Sequence, residues 1–444
     1  MEINSFNKEY MDFQNNIESN ATTYVKTFNT CFNKAKGSII YDVENNKYID
    51  FLCGAGTLAL GHNDDNIIEE MRKYLSEDNI LLGLDMFTPA KYNFVSELIS
   101  ILPKSLEKNI KLHFCGPTGT DATEAALKLF RIATGNKNII TFHGAFHGMS
   151  LGAMEISGNL SLKNKINSEI SGAHSFPYPY EFRNPYNNKD MINISLAHIR
   201  NSLTESHSGI SKPAAIFVEA IQGEGGCIPA PKKWLKGLRK IATELNIPLV
   251  LDEIQSGFGR TGKIFAFEHA DIIPDAILLS KAIGGGLPMS VLVYNKKYDK
   301  WDSGAHTGTF RGNQLAMISG AKTISIIKNS AFLDDVNQKS NHMFDTLNKF
   351  KNDYDFIGDV RGYGLMIGIE IIYPDKKNSL GHKLSNPILA LLIKKICFEN
   401  GLIIETGGRD DSVIRFLPAL NINIELINKA LDIFKNALNH CNYA

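Results

Sequence analysis

Four short apolar runs in the middle of the chain set the pattern that organises the rest: Asn138-Ile-Ile-Thr-Phe142, Pro213-Ala-Ala-Ile-Phe-Val218, Ile247-Pro-Leu-Val-Leu251 and Ala276-Ile-Leu-Leu279. Their apolar residues stand at consecutive rather than alternate positions. That suits strands covered on both faces, as in a parallel sheet flanked by helical crossovers. Each run delivers reactive or flexible residues into a loop. The first opens into His143-Gly-Ala-Phe-His-Gly148, the second delivers Glu219, the third Asp252-Glu253-Ile254-Gln255, and the fourth Ser280-Lys281 followed closely by three glycines. Ligands of open α/β sheets sit outside the carboxyl ends of their strands. One lysine, a buried carboxylate and several glycine loops are therefore expected to meet in one crevice.

Before these runs, residues 1 to about 36 are polar and Asn-rich, an arm or short helix. Gly37 to Phe51 alternates well enough for a hairpin with Asn45-Asn46 at its turn, and leads into a glycine-rich loop, Leu52 to Asn63. Phe114-Cys-Gly-Pro-Thr-Gly-Thr-Asp121 then precedes Ala122, Ala125, Ala126, Leu129 and Ala133 at helical spacing, with Thr120 or Asp121 as the expected cap. Free N–H groups and the positive dipole end at such a helix start would suit a phosphate. The loop lacks the lysine of a P-loop and reads equally well as a plain cap. His306-Thr-Gly-Thr-Phe-Arg-Gly-Asn313 is also suited to an oxyanion.

From about 313 to 351 the pattern is helical and marks the passage to a second domain. That domain supplies the run Gly362 to Ile372, a helix over Pro387 to Glu399 stopped by Gly401, the strand Ser412 to Phe416, and a last helix from about 424. Arg415 lies inside that apolar strand, where an unpaired guanidinium is costly. It either pairs with a structural carboxylate or waits for a substrate's.

Composition narrows the class. At 444 residues the chain can fill two or three domains. With 47 basic and 47 acidic residues it carries no electrostatic footprint for nucleic acid or an anionic membrane. No segment reads as a membrane span or a signal peptide. Six cysteines without CxxC pairing argue against a disulfide framework and against a metal site. A soluble cytoplasmic enzyme is expected.

The residues at the strand ends say which chemistry. A lysine forms a Schiff base with a carbonyl, and an aspartate facing a pyridinium nitrogen keeps it protonated, so the ring can accept electrons from a carbanion. Lys281 and Asp252 therefore point to pyridoxal 5′-phosphate. Phe146 and His147 could stack on its ring, or serve as core and as a locally satisfied imidazole.

With these motifs in place, the chain resembles the class III aminotransferases of PLP fold type I over nearly its whole length. Glu219-Ala-Ile-Gln-Gly-Glu-Gly-Gly226, Leu251 to Gly262 and Ser280-Lys-Ala-Ile-Gly-Gly-Gly286 carry the resemblance. Within the class it is similar to diaminobutyrate:2-oxoglutarate aminotransferases, on segments such as Gly83 to Lys91, Thr307 to Asn313 and Gly407 to Pro418. The fold so implied is α/β, a large domain with a mainly parallel central sheet between helices plus a smaller C-terminal α/β domain. The expected divisions are residues 1–60 as an arm and hairpin packing with the small domain, 61–325 as the cofactor domain and 326–444 as the small domain.

The resemblance implies that Lys281 carries the cofactor and Asp252 pairs with its pyridine nitrogen. Gln255 would approach the phenolic oxygen, with Phe146 and His147 beside the ring. Gly119 and Thr120 would hold the phosphate, joined by Thr309 of a neighbouring subunit. Arg415, Glu224 and Glu219 would face the substrate, Arg415 meeting the α-carboxylate of glutamate or 2-oxoglutarate and Glu224 pairing with it otherwise. A homodimer with shared sites, or a higher homo-oligomer, follows, with amino acids and 2-oxo acids as small-molecule partners. Ornithine, acetylornithine, 4-aminobutyrate or lysine are alternative donors, and a catalytically silent protein of the same fold is a further alternative.

Overall fold

The computed structural model describes residues 5–164, 172–186 and 190–442. After a helix, Ser5–Ile17, the chain forms β1 (Phe32–Lys36), β2 (Ile39–Asp42) and β3 (Lys47–Asp50). The expected hairpin is β2 and β3, with Asn45 at a φ of 65° in its turn. β1 extends it on the outer side, a strand not anticipated because its residues are nearly all exposed and carry no apolar alternation.

The central strands are β4 (Ile110–Phe114), β5 (Ile139–Phe142), β6 (Ala173–Phe176), β7 (Ala215–Glu219), then a short hairpin β8 (Ile221–Gln222) and β9 (Ile228–Pro229). They continue with β10 (Leu249–Asp252), β11 (Ala276–Leu279) and β12 (Val291–Asn295). All but the small hairpin join one seven-stranded sheet, in the order β4-β12-β11-β10-β7-β5-β6. Its pairs are parallel except the two made by β12. Every residue of β5, β7, β10 and β11 is buried, the environment that their unbroken aliphatic runs require.

The helical stretch expected after residue 313 is two helices, Gln314–Ile327 and Ser330–Asp353, broken where the Asn329 side chain accepts the Ala331 N–H. The C-terminal part adds β13 (Ile357–Tyr363), β14 (Met366–Lys377), β15 (Lys383–Ser385), β16 (Leu402–Ile403), β17 (Glu405–Gly407) and β18 (Val413–Phe416). β13, β14, β18 and β17 form an antiparallel sheet, with β15 added beside β14. β16 leaves that sheet and pairs parallel to β3, Leu402 opposite Ile49. The helix Pro387–Glu399 has its expected bounds: the Asn386 side chain caps it, proline sits in its first turn, and Gly401 follows with a φ of 82°. Among the described residues no helix is long and apolar enough to cross a membrane.

The two larger sheets are joined by a buried cation. Arg260, in the loop after β10, is 2% exposed, and burial lowers its pKa to about 10. Its Nη1 donates to the carbonyls of Leu365 and Pro418, which lie in the turn after β13 and the exit of β18. Arg260→Ala would leave both carbonyls without that donor, at about 1–3 kcal/mol each. The midpoint of thermal unfolding should fall by several degrees; an unchanged midpoint would show that the junction does not depend on Arg260.

Candidate active site

Adjacent strands β7 and β10 end in register, with Glu219 opposite Asp252. Both are nearly buried, so each carboxylate needs donors aimed at it. Asp252 Oδ2 lies 2.7 Å from His147 Nδ1, and its Oδ1 accepts the Ile254 N–H at 3.0 Å. Burial works against a charged His147, but the hydrogen bond and charge of Asp252 outweigh it and raise the imidazole pKa. Glu219 accepts the N–H groups of Phe146 and Gly223, each at 3.1 Å. Burial, the largest cause, nevertheless raises the Glu219 pKa above the usual carboxylate value.

One strand further along, β11 delivers Lys281. Its φ is 51°, a left-handed backbone that costs a non-glycine residue energy and that tends to occur where function demands it. The preceding Ser280 hydroxyl donates to the Met289 carbonyl at 2.9 Å and anchors the turn. Burial lowers the lysine pKa, with Glu224 opposing, so the neutral nucleophilic amine is more accessible than in a solvated lysine.

Across the crevice the helix Gly119–Thr134 begins, and its cap differs from expectation. Thr118 occupies the cap without a side-chain hydrogen bond. The Thr120 hydroxyl is instead 2.6 Å from Ser150 Oγ, and the Asp121 carboxylate accepts the Gly116 N–H. Gly119 is packed under Ile254, where an added Cβ would come within 2.9 Å of Cδ1. The Asp121 N–H donates to the Thr118 carbonyl at 3.0 Å, and no side chain caps the turn before it, which suits an anion.

On the opposite side, Arg415 of β18 is 3% exposed and paired with Glu224, from the loop between β8 and β9. Nη1 to Oε1 is 2.8 Å and Nη2 to Oε2 is 2.9 Å, a two-pronged contact. Of the two alternatives for Arg415, pairing with a carboxylate of the chain is what is observed. Burial disfavours both charges, yet each holds the other ionised, lowering the pKa of Glu224 and raising that of Arg415.

One cavity collects Gly119, Thr120, Phe146, His147, Glu219, Glu224, Asp252, Gln255 and Lys281. Arg415 reaches it through Glu224. Thr309 does not line it and is exposed on the surface. Tyr24, about half exposed and not lining the cavity, lies near this pair: partial burial, then Glu405 and Glu224, push its hydroxyl up to about 12. A single tyrosine in a polar arm gives no pattern that would have marked it.

A model of the family described as Aminotransferase class-III matches residues 20–438. The chain belongs to that family. Class III aminotransferases use pyridoxal 5′-phosphate, and the cavity has the donor set for it. An amine, a buried aspartate and open helix N–H groups converge there, while His147 Nε2 and Gln255 Oε1 are buried without a protein partner. Lys281, Asp252, Gln255, Phe146, Gly119 and Thr120 are the residues that would hold it.

Among class III aminotransferases, a diaminobutyrate–2-oxoglutarate aminotransferase of Rhizobium meliloti is 44% identical, over 94% of this chain and 89% of that protein. One of the same name from Haemophilus influenzae is 41% identical, over 97% and 95%. Among solved structures, a transaminase from the marine bacterium Virgibacillus superposes with a TM-score of 0.85 over 97% of this chain and 98% of its own, at 21% identity. The ornithine aminotransferase of Toxoplasma gondii gives 0.81 over 98% and 96%, at 22% identity. These two likenesses establish the α/β transaminase fold.

In this class III aminotransferase the Asp252 carboxylate is, among the described residues lining the cavity, the one bonded to the His147 ring. Asp252→Asn keeps the shape and removes the charge. Cofactor absorbance should survive while turnover falls by about 10²–10³-fold; undiminished turnover would remove Asp252 from the chemistry.

Proposed function

We propose that this enzyme moves the γ-amino group between L-2,4-diaminobutyrate and 2-oxoglutarate, interconverting them with L-aspartate 4-semialdehyde and L-glutamate. The names of its relatives support the substrate pair. The observation that carries the reading is the Arg415–Glu224 contact beside Lys281. Glutamate presents its α-amino group on a carbon that also bears the α-carboxylate, whereas diaminobutyrate presents a terminal amine on a carbon that bears none. A site serving both needs an arginine that can be offered to one and withheld from the other. Glu224, on a partly exposed side chain, is suited to withhold it.

Bound pyridoxal 5′-phosphate supplies the electron sink that makes a proton next to the transferred nitrogen removable. Asp252, backed by His147, holds the charge that this sink requires. Lys281 Nζ is the amine that would anchor the cofactor, and in its free form it would take the proton from the carbon bearing the transferred nitrogen. Burial of Lys281 favours the neutral form that does so. Phe146 and Ile254 line the cavity where the ring would lie.

The proposal extends to assembly and organisation. Leu81, Leu84, Met86, Phe87 and Phe310 form an exposed apolar set, Phe87 fully exposed. The segment 81–84 hydrogen-bonds to the 312–314 stretch that follows Thr309 and Phe310. A second copy covering this face would bring Thr309 to a neighbour's phosphate site, in a homodimer with shared sites. Residues 1–60, 61–325 and 326–444 are read as arm, cofactor domain and small domain, supported by the three larger sheets of the described residues. Six unpaired cysteines and metabolite substrates fit a cytoplasmic location.

The deciding test is the visible absorbance of the purified enzyme with one amine at a time. L-2,4-diaminobutyrate should bleach the cofactor band and 2-oxoglutarate restore it, while ornithine, acetylornithine, 4-aminobutyrate and lysine act far more slowly. Faster bleaching by any of these would replace the proposed donor. For assembly, analytical ultracentrifugation should give a dimer that Phe87→Asp weakens; a monomeric wild type would refute the shared site.

A further inference from the structure

The loop that carries Glu224 has an anchor well away from the cavity. Its backbone turns through two left-handed residues, Gly226 at a φ of 115° and Cys227 at 52°, the second unfavourable for a residue with a side chain. Such a turn persists only if its surroundings hold it. Two contacts from the C-terminal part do so. The Gly408 N–H donates to the Glu224 carbonyl at 2.9 Å, and Arg361 Nε donates to the Gly226 carbonyl at 2.9 Å. Gly226 is packed so closely that an added Cβ would lie 2.9 Å from Arg361 Nη2.

Arg361 is itself immobilised. Nη2 donates to Glu370 Oε2 at 2.7 Å and Nη1 to Asp359 at 3.3 Å. Glu370 is fully buried and also takes the Tyr180 hydroxyl at 2.6 Å and Arg183 Nη2 at 2.7 Å. These charges do not line the cavity that holds Lys281. A buried ionic cluster of this kind is weak evidence for stability, and its geometry is better explained by what it holds in place.

We infer that Arg361 is a positioning residue for substrate discrimination: braced by Glu370, it fixes the loop backbone so that only the Glu224 side chain moves when Arg415 changes partner. The inference rests on the proposed masking of Arg415 by Glu224. With the loop fixed, the paired state is restored after each dicarboxylate departs. With the loop loose, Glu224 covers Arg415 poorly, and the diamine meets an unmasked guanidinium.

The test measures both half-reactions in the full-length enzyme through cofactor absorbance, in Arg361→Gln, Arg361→Lys, Glu224→Gln and Arg361→Lys/Glu224→Gln. The lysine variant keeps a cation against Glu370 but loses the Nε donor to Gly226, so it carries the test if the glutamine variant folds poorly. KM for the diamine should rise about tenfold in both Arg361 variants, the scale of one charge-assisted hydrogen bond, while KM for glutamate changes far less. Glu224→Gln should show the same split, and adding Arg361→Lys to it should add little, because the two residues act through one contact. Hydrogen exchange of the 223–227 amides should quicken in the Arg361 variants. Equal losses for both substrates, or a fully additive double variant, would overturn the inference while leaving the masking intact. If Glu224→Gln shows no split, the masking fails and this inference fails with it.

Discussion

Two carboxylates one strand apart at the end of a buried parallel sheet form the constraint on which the rest of the site depends. Asp252 and Glu219 cannot both sit there without donors aimed at them, because like charges and burial each favour the protonated form. A single loop supplies a donor to each, beside the Gly223 and Ile254 N–H groups. The residues after β5 send the Phe146 N–H to Glu219 and the adjacent His147 ring to Asp252. The conformation of that loop, and with it the position of the Phe146 ring at the cavity wall, follows from satisfying two neighbouring charges.

The molecule holds two ionic groups of contrasting character. Around Glu370, two arginines and a tyrosine close on one carboxylate that has no exposure to solvent. Around Arg415, one carboxylate faces one guanidinium, Arg415 Nε has no partner, and the Glu224 side chain keeps about a third of its exposure. The first has nowhere to go; the second has both room and an unused donor. A site that must accept substrates of different charge needs an exchangeable pair mounted on an unexchangeable one.

What the sequence made legible follows the same physics. Strands β5, β7, β10 and β11 were readable because burial on both faces demands contiguous aliphatic residues, and the helix Pro387–Glu399 because its stop and start signals are local. Lys281, Asp252 and Glu219 could be brought to one crevice by strand ends alone, whereas Glu224, in a loop, was placed there only by the family resemblance. The cap at Gly119 was misjudged because Thr120 and Asp121 spend their polar atoms on Ser150 and Gly116, partners that no local rule weighs against the helix terminus. Strand β1 escaped because an exposed edge carries no hydrophobic period, and Arg361 because its place in β13 says nothing of a carbonyl more than a hundred residues away.

The pairing of β3 with β16 ties Ile49 to Leu402, and this has a bearing on how the protein is made. The N-terminal hairpin emerges from the ribosome long before its fourth strand exists, and a lone two-stranded hairpin is marginal in water. The large parallel sheet, complete once residue 295 has been synthesised, can form first as a unit. Completing the sheet of the hairpin requires β16, so the contact between Ile49 and Leu402 is a long-range one of the kind that slows folding.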